Sequence, residues 1–446
     1  MILVLVGVAV ACGGGSSEVR TVVLITVDTL RADHCGALGY GLGTTPCLDA
    51  AARRGTRFDR CVCQQPETGP SIASMHTSRY PREIGVRENG DLLPGDPPTL
   101  AERFREAGFV TGGFVSTYLL KPRACGLERG FDCYDHEMTS PNFGHPDFER
   151  PAQETVDRAL SWMAKHQGVD RFLFVHLYDP HGPYEPGDAP VERFYRDSGR
   201  PPLPPDRIVR YQRHGDSLDP DDFVARYDGE IFVADREVGR LLDALPPDAI
   251  VAFTADHGEG LGESDYWFRH GSLLNDASLH VPLVFLGPGV PEAMTVQLPV
   301  ANLDVAPTLL DLAGLPPMPQ ARGRSLRRLM DRRTLDSELV FSEARRRQRV
   351  SDQTGVDTRY KVSVTTVKHR AVLWPETGET LLVDPQEDPD QYRDLSADHP
   401  VVAEQLAAAL RRYLLLGDRL TAADAPTDVE NALRGLGYLR NGGDDR

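Results

Sequence analysis

Acidic residues and a histidine follow two apolar runs of the sequence, where a buried strand would end. TVVLITVD runs from Thr21 to Asp28, and AIVAFTAD runs from Ala249 to Asp256 and is followed by His257. Hydrolysis of a phosphate or sulfate ester uses a metal that stabilises negative charge on the reacting oxygens. Carboxylates with an imidazole hold such a metal, so we predict a divalent-metal site made by Asp28, Asp256 and His257. Zinc, manganese, calcium and magnesium all stay open as its ion.

The segment Thr68-Gly69-Pro70, before SIASMHTS, predicts a helix that starts at the candidate nucleophile. Proline is tolerated in the first helical turn. Backbone N–H groups and the helix dipole favour an anion at such an end. Thr68 is therefore the predicted nucleophile. The alternative is that Thr68 is an ordinary helix N-cap in a protein without activity.

The elements that position these residues belong to an α/β fold. Continuous apolar runs are typical of parallel strands that are covered on both faces. A third run, RFLFVHLYDPH, passes from Arg171 through His176 to Asp179 and His181. Ligands of open α/β sheets bind at the carboxyl ends of the strands. We therefore expect all three runs to deliver their polar residues to one edge of a mostly parallel sheet.

The pattern changes near residue 350. Short alternating runs, YKVSVTTVK and HRAVLWP, are followed by the turn PETGET and the helical pattern HPVVAEQLAAALRRYLLL. This order predicts a small antiparallel sheet with one covering helix. We expect a signal segment and tether at 1–20, a catalytic domain at 21–350 and a C-terminal subdomain at 351–446. The Pro-rich stretch 186–221 is predicted to be a surface insertion.

The first residues predict export from the cytoplasm. Met1 to Ala11 is apolar but too short to span a bilayer, as expected for a signal peptide. Cys12 and the Gly/Ser tether after it resemble a bacterial lipoprotein cleavage site. We predict a lipid anchor on Cys12 and a location in the bacterial cell envelope, facing the periplasm or the exterior. The alternative is an irregular terminus of a soluble protein.

The net charge bears on the binding partners, and the cysteine content bears on disulfide formation. The 446-residue chain carries a formal net charge of −17, which argues against a nucleic-acid partner because phosphate backbones attract basic surfaces. Beyond Cys12 the sequence has six cysteines, so disulfides and buried free thiols are both open. The oligomeric state is not indicated.

Four ordered segments resemble the sulfatase branch of the alkaline-phosphatase superfamily. They are VDTLRAD (27–33), ETGPSIASMHTSRYP (67–81), YDPHGPY (178–184) and TADHGEGLGE with RHG (254–271). TTPCLDAAARRGTRFDR, GLERGFDCYD and HVPLVFLGPG extend the likeness over most of the chain. The resemblance implies a three-layer α/β fold with a mostly parallel sheet and a metal-dependent ester hydrolase.

Three departures argue against the usual sulfatase chemistry. Sulfatases carry a Cys-x-Pro-x-Arg pattern whose first residue becomes formylglycine, and here the aligned residues are Thr68, Pro70 and Ile72. Their Gly-Lys-Trp-His is replaced by the residues at 115–118, which read VSTY. His270 stands in place of another sulfate-contacting lysine. The resemblance therefore does not imply formylglycine catalysis here.

The segment after Thr68 resembles nucleotide pyrophosphatase/phosphodiesterases, in which a threonine is both nucleophile and metal ligand. Their pattern Thr-x-Pro…Thr-Gly-x-Tyr-Pro…Gly…Asn is matched at Thr68, Pro70, Thr77, Tyr80, Pro81, Gly85 and Asn89, with Ser78 replacing a glycine. The likeness implies that Thr68 is a ligand of the metal as well as the nucleophile, and that Asn89 touches the phosphoryl oxygens.

Those phosphodiesterases bind a second zinc, for which Asp179, His181 and His270 are candidates. Asp179 and His181 are too close in sequence for that family's spacing, so His181 and His270 are predicted as contacts to the substrate or leaving group. The predicted function is hydrolysis of phosphate mono- or diesters, from a small-molecule or polymer substrate. The alternatives are a sulfatase without formylglycine and a non-catalytic binding protein.

Overall fold

The protein is described here from a computed structural model that covers residues 19–142, 145–332, 339–344, 359–391 and 393–416. The predicted signal segment and Cys12 lie outside the described residues, so export and lipid anchoring stay predictions. Within the described ranges, no helix is long and apolar enough to cross a membrane.

The described elements are seventeen strands and twelve α-helices. The strands are β1 (Thr21–Val27), β2 (Thr56–Val62), β3 (Val110–Val115), β4 (Cys133–Asp135), β5 (Ser140–Asn142), β6 (His145–Glu149), β7 (Arg171–Leu177), β8 (Ile250–Ala255), β9 (Gly260–Leu261), β10 (Trp267–Arg269), β11 (His280–Leu286), β12 (Met294–Val296), β13 (Val300–Ala301), β14 (Val340–Ala344), β15 (Lys361–Thr365), β16 (Arg370–Leu373) and β17 (Thr380–Val383). The helices are α1 (Pro46–Arg53), α2 (Thr68–Thr77), α3 (Pro81–Ile84), α4 (Leu100–Glu106), α5 (Pro122–Cys125), α6 (Ala152–Lys165), α7 (Asp188–Phe194), α8 (Pro220–Asp243), α9 (Asp276–Leu279), α10 (Val305–Leu312), α11 (Arg327–Met330) and α12 (Pro400–Leu414).

The central sheet has nine strands in the order β12-β2-β11-β8-β1-β7-β3-β4, with β13 also pairing with β2. The strands β8, β1, β7, β3 and β4 are parallel to one another, whereas β11 is antiparallel to both β2 and β8. All seven residues of β1 and all seven of β7 are buried, as their continuous apolar sequences predict. The predicted mostly parallel sheet is therefore confirmed.

Helices cover the sheet because each carries an apolar stripe with helical spacing. In α6 the buried positions include Ala152, Val156, Ala159 and Met163, which recur at intervals of three or four residues. This face packs against β3 and β7, and α8 packs against both α1 and α6. The helix α2 packs against α4 and α10. The core of the sheet and its helices forms one continuous apolar cluster.

A separate four-stranded antiparallel sheet, in the order β14-β15-β16-β17, follows the central sheet. Its strands bury Val362, Val364 and Leu382 against Leu406 and Leu410 of α12, which is the predicted covering helix. The predicted fold class is confirmed in this part as well. The first strand of the small sheet, β14, lies before residue 350, where the sequence predicts the domain boundary.

The cysteines of the described chain are free thiols. Cys35, Cys61, Cys63 and Cys125 are buried, and Cys47 and Cys133 are half-buried. Burial raises the pKa of Cys61 and Cys125 above the ordinary thiol range. Of the two possibilities that the sequence left open, the structure has buried thiols.

Candidate active site

The strand order brings the predicted metal ligands to one edge of the central sheet. Strand β1 lies between β7 and β8, and Val27 is in register with Leu177 on one side and Ala255 on the other. Asp28 and Asp256 are the next residues along β1 and β8, so they leave the sheet side by side. Both aspartates are fully buried.

His257 joins the two aspartates. Its Nε2 lies 3.7 Å from Asp28 Oδ1 and 3.5 Å from Asp256 Oδ2. Its Nδ1 is 2.9 Å from the Gly258 carbonyl oxygen, which can only accept a hydrogen bond. Nδ1 therefore carries the proton, and the lone pair of Nε2 points at the aspartates, as a metal-binding imidazole requires.

A second imidazole, which the sequence analysis did not assign to the metal, belongs to the same cluster. His176 lies in β7, and its Nε2 is 3.8 Å from Asp28 Oδ2 and 4.0 Å from Asp256 Oδ2. Ligand atoms of Asp28, His176 and Asp256 all lie within 4.8 Å of one another, close enough to hold one ion, and His257 is not a member of this compact group. The only signal in the sequence was a polar residue inside an otherwise apolar strand.

The residues of this cluster fit a divalent cation. In the described part of the chain, Asp28 Oδ1, Asp256 Oδ2 and both ring nitrogens of His176 are buried without a hydrogen-bond partner. Such atoms are costly to bury unless a partner compensates them. Burial, and then the charge of Asp256, raise the pKa of Asp28 well above the ordinary range. A cation shared by these groups would remove both penalties.

Thr68 is the first residue of α2 and is fully buried. Its hydroxyl oxygen lies 3.3 Å from Asp28 Oδ2, to which it donates, and 3.4 Å from His257 Nε2. The N-cap position is occupied by Glu67 instead, whose side chain makes no capping hydrogen bond. The Thr68 hydroxyl therefore faces the acidic cluster and not the helix backbone.

Asn89 lies beside the start of α2. Its Oδ1 accepts a hydrogen bond from the backbone N–H of Gly69 at 2.8 Å, and its own backbone N–H donates to Glu67 at 3.1 Å. These bonds fix the orientation of the amide. Its Nδ2 is buried and has no hydrogen-bond partner within the described ranges. This amide nitrogen can therefore donate a hydrogen bond to a substrate at the start of α2.

His181 and His270 face each other near the cluster, with ring centroids 5.0 Å apart. The Nδ1 of His181 is 2.9 Å from the Gly182 carbonyl oxygen and so carries a proton. Burial, and then His270, lower the pKa of His181 to about 3, which keeps this ring neutral and its Nε2 an acceptor. The Nδ1 of His270 lies 3.3 Å from Oε1 of Glu259, a buried carboxyl group whose pKa burial raises to about 7.

Asp179 does not join the two histidines in a second metal site. Its Oδ2 accepts a hydrogen bond from the backbone N–H of Ala152 at 3.0 Å, and its side chain also bonds to Glu230. In the described residues, the one group of three or more candidate ligands is that of Asp28, His176 and Asp256. The geometry favours the prediction that His181 and His270 contact the substrate or leaving group.

Two protein-family models match this chain, and together they cover most of its length. Residues 20–315 match the family model described as sulfatase. Residues 262–415 match the model of the N-sulphoglucosamine sulphohydrolase C-terminal region.

Individual relatives are distant. An ulvan-active sulfatase of Formosa agariphila is 27% identical over 323 residues, which are 66% of this chain and 61% of that protein. A choline-sulfatase of Rhizobium meliloti is 26% identical over 328 residues, which are 60% of this chain and 63% of the relative. The alignments thus span less than two thirds of either relative.

A solved phosphonate monoester hydrolase from Silicibacter pomeroyi shares the fold. It superposes with a TM-score of 0.69 and 23% sequence identity, and the superposition covers 89% of this chain and 94% of that chain. At this identity the likeness concerns the fold and not the activity.

Proposed function

This chain belongs to the sulfatase family, and from that premise we propose that it is a metal-dependent hydrolase of phosphate mono- or diesters with Thr68 as its nucleophile. The observation that carries the proposal is the position of the Thr68 hydroxyl, 3.3 Å from Asp28 Oδ2 and 3.4 Å from His257 Nε2 at a helix N-terminus. Asp28, Asp256, His257 and Thr68 are the proposed ligands of the metal.

In the proposed reaction, Thr68 forms a bond from Oγ to phosphorus while the bond from phosphorus to the leaving oxygen breaks. The hydroxyl proton leaves along the hydrogen bond to Asp28. A bound divalent cation would supply positive charge that lowers the pKa of the hydroxyl and stabilises the phosphoryl oxygens. The Nδ2 of Asn89 donates to one of those oxygens. Water then hydrolyses the phosphothreonine and restores Thr68.

We assign the leaving-group proton to His270. His270 Nδ1 contacts the Glu259 carboxyl group, which orients the ring, and His270 donates a proton at the leaving oxygen and recovers it from the attacking water. His181 is held neutral with Nε2 as an acceptor, so it suits a substrate hydroxyl better than a leaving oxygen.

Substrate choice is assigned to the insertion 186–221 and to the C-terminal subdomain. The Tyr211 ring, in the insertion, lies 6.1 Å from that of His181. Gln212 is buried, and its amide nitrogen and oxygen have no hydrogen-bond partner in the described chain. The amide packs on Gly182, where an added Cβ would lie 2.0 Å from Gln212 Nε2. The insertion therefore reaches the loop that carries His181.

A sulfate ester is the second candidate substrate, since the matched family model and the two curated relatives are those of sulfatases. Threonine is a secondary alcohol and cannot be oxidised to the aldehyde that formylglycine chemistry uses. Sulfate turnover would then depend on direct attack by Thr68. Phosphoryl transfer is favoured because a metal-activated hydroxyl is an established nucleophile for it.

The test compares aryl phosphate, aryl phosphodiester and aryl sulfate turnover by the purified protein with Zn²⁺, Mn²⁺, Ca²⁺ and Mg²⁺. Thr68→Ala should lower phosphoesterase activity by roughly 10⁴-fold or more, whereas Thr68→Ser should keep a measurable fraction. Intact-mass and peptide mapping should find residue 68 unmodified. Full activity of Thr68→Ala on every ester would contradict the proposal. Turnover of the sulfate alone would favour the second candidate, and metal binding without turnover a binding protein.

A further inference from the structure

We propose that His176 is a further side-chain ligand of the metal beside Asp28, Asp256 and His257, so that two imidazoles and two carboxylates select a zinc-class transition ion over calcium or magnesium. The inference rests on the metal dependence of the proposed function and not on the type of ester. It concerns an imidazole that neither the sequence motifs nor the proposed reaction use.

The first observation is the position of His176 relative to both aspartates. Register pairs His176 with Thr26 of β1, which in turn pairs with Thr254 of β8. From this row the ring reaches the acidic edge, where Nε2 lies 3.8 Å from Asp28 and 4.0 Å from Asp256. Two atoms that bind one ion, each at about 2.0–2.2 Å, lie roughly 3–4 Å apart. The observed separations are in this range.

The second observation is that His176 has no other use for its nitrogens. The side chain is fully buried, and neither Nδ1 nor Nε2 has a hydrogen-bond partner in the described residues. Buried polar groups are nearly always paired. At 4.0 Å, the distance to Asp256 is too long for a hydrogen bond, so a role as a mere support of that carboxylate is not what the geometry favours.

The donor set follows from the chemistry of the four side chains. Calcium and magnesium prefer shells made of oxygen atoms, whereas imidazole nitrogens suit zinc and its transition-metal neighbours. His257 already contributes one nitrogen, with its lone pair directed at the aspartates by the bond to Gly258. With His176 the set has two nitrogens and two carboxylates, and zinc should outcompete calcium.

The experiment measures metal binding without turnover. Protein stripped with a chelator is titrated with Zn²⁺, Mn²⁺ and Ca²⁺ against a competing chelator, and bound metal is counted by elemental analysis. Wild type should bind zinc more than about 100-fold more tightly than calcium. His176→Asn and His176→Ala should each weaken zinc binding by more than about 100-fold, beyond what loss of an outer-shell partner costs. The visible spectrum of the Co²⁺-loaded protein should also change in both variants.

His76→Gln is the matched control. His76 is a second fully buried imidazole whose nitrogens have no hydrogen-bond partner in the described chain. Its ring packs 4.5 Å from that of Phe174, and it lies near enough to His176 for the two rings to interact electrostatically. It should bind zinc as wild type does. Circular dichroism of each variant checks the fold.

The outcomes separate this inference from the proposed function. If the His176 variants bind zinc like His76→Gln while Asp256→Ala loses the metal, the metal site stands and the role of His176 is wrong. Tighter binding of calcium than of zinc by the wild type would overturn the selectivity. If folded wild type binds no divalent ion, the inference and the metal-dependent reaction both fail.

Discussion

The two ends of the same parallel strands differ in how their charged side chains are compensated. At the amino end of β1 and β7, Arg20 donates its backbone N–H and its Nε to the two carboxylate oxygens of Asp170, each at 2.8 Å. At the carboxyl end, Asp28, Asp256 and His176 are buried together, and several of their polar atoms have no hydrogen-bond partner in the described residues.

The difference separates structural charge from charge held for chemistry. The Arg20–Asp170 pair is partly exposed, and the two opposite charges compensate each other without a bound ion. The carboxyl end carries two aspartates whose charges repel and which burial disfavours, so it costs stability until a cation arrives. Parallel strands concentrate ligand sites at this end. Four substitutions test the contrast, from the largest expected effect to the smallest.

Loss of the proton donor at the carboxyl end should have the largest of these effects. His270→Gln should slow hydrolysis of alkyl phosphate esters by about 10²–10⁴-fold, because the poor leaving group needs a proton. Dinitrophenyl esters, whose leaving group is stable as an anion, should be slowed far less. The check is kcat/KM across a series of leaving groups. His181→Gln is the comparison variant and should slow all esters of the series by a similar factor. If His270→Gln also slowed all esters by a similar factor, His270 would not be the general acid.

Asn89→Ala should cost about 2–4 kcal/mol of transition-state stabilisation, because Nδ2 is the proposed donor to the phosphoryl oxygens. The loss should appear in kcat/KM with metal binding unchanged. Asn89→Asp keeps an acceptor for the Gly69 N–H at 2.8 Å but removes the donor, so it should lose at least as much activity. An active Asn89→Asp would show that Asn89 only supports the start of α2.

Asp28→Asn should make the metal-free protein more stable by about 1–3 kcal/mol at neutral pH. Burial and then Asp256 hold the pKa of Asp28 above its unfolded value of about 3.9. The native state therefore binds more protons than the unfolded state above that value, and wild type loses stability as pH rises. The free energy of unfolding of chelator-treated protein, measured with urea between pH 4 and 8, should depend less on pH in the variant than in the wild type. A less stable variant would mean that Asp28 is compensated without a cation.

Asp170→Ala, at the amino end, should lower the free energy of unfolding by about 1 kcal/mol, because the pair with Arg20 is partly exposed. Activity and metal affinity should stay at the wild-type level. Asp170→Asn, which can still accept from the Arg20 N–H, should lose less stability. A clear loss of activity in Asp170→Ala would break the contrast between the two ends of the sheet.

Much of the fold could be predicted from local patterns. Continuous apolar runs give β1, β7 and β8, and the change to alternating runs gives the small antiparallel sheet with its helix α12. The family, identified from ordered motifs, is confirmed by the match over 20–315. A continuous apolar run by itself indicates a strand that is buried on both faces, so it can be predicted without knowing which strands pair with it.

Within the candidate site, Asp28, Thr68, Asp256 and His257 come together as predicted, because each lies just after a strand or at the start of a helix. Their roles stay predictions until the substitutions are made. Asp179 differs, since the sequence gives its position after β7 but not the direction of its side chain, which bonds to the backbone of Ala152 instead.

The sequence by itself determined which residue types reach the carboxyl edge and that a threonine stands where formylglycine would form. Only the tertiary structure decided that His176 faces Asp28 and Asp256. Its strand places it in the sheet, but its neighbours come from β1 and β8, whose pairing depends on strand order and register. Contacts between segments so far apart in the chain follow from how the whole sheet packs, which no local pattern encodes.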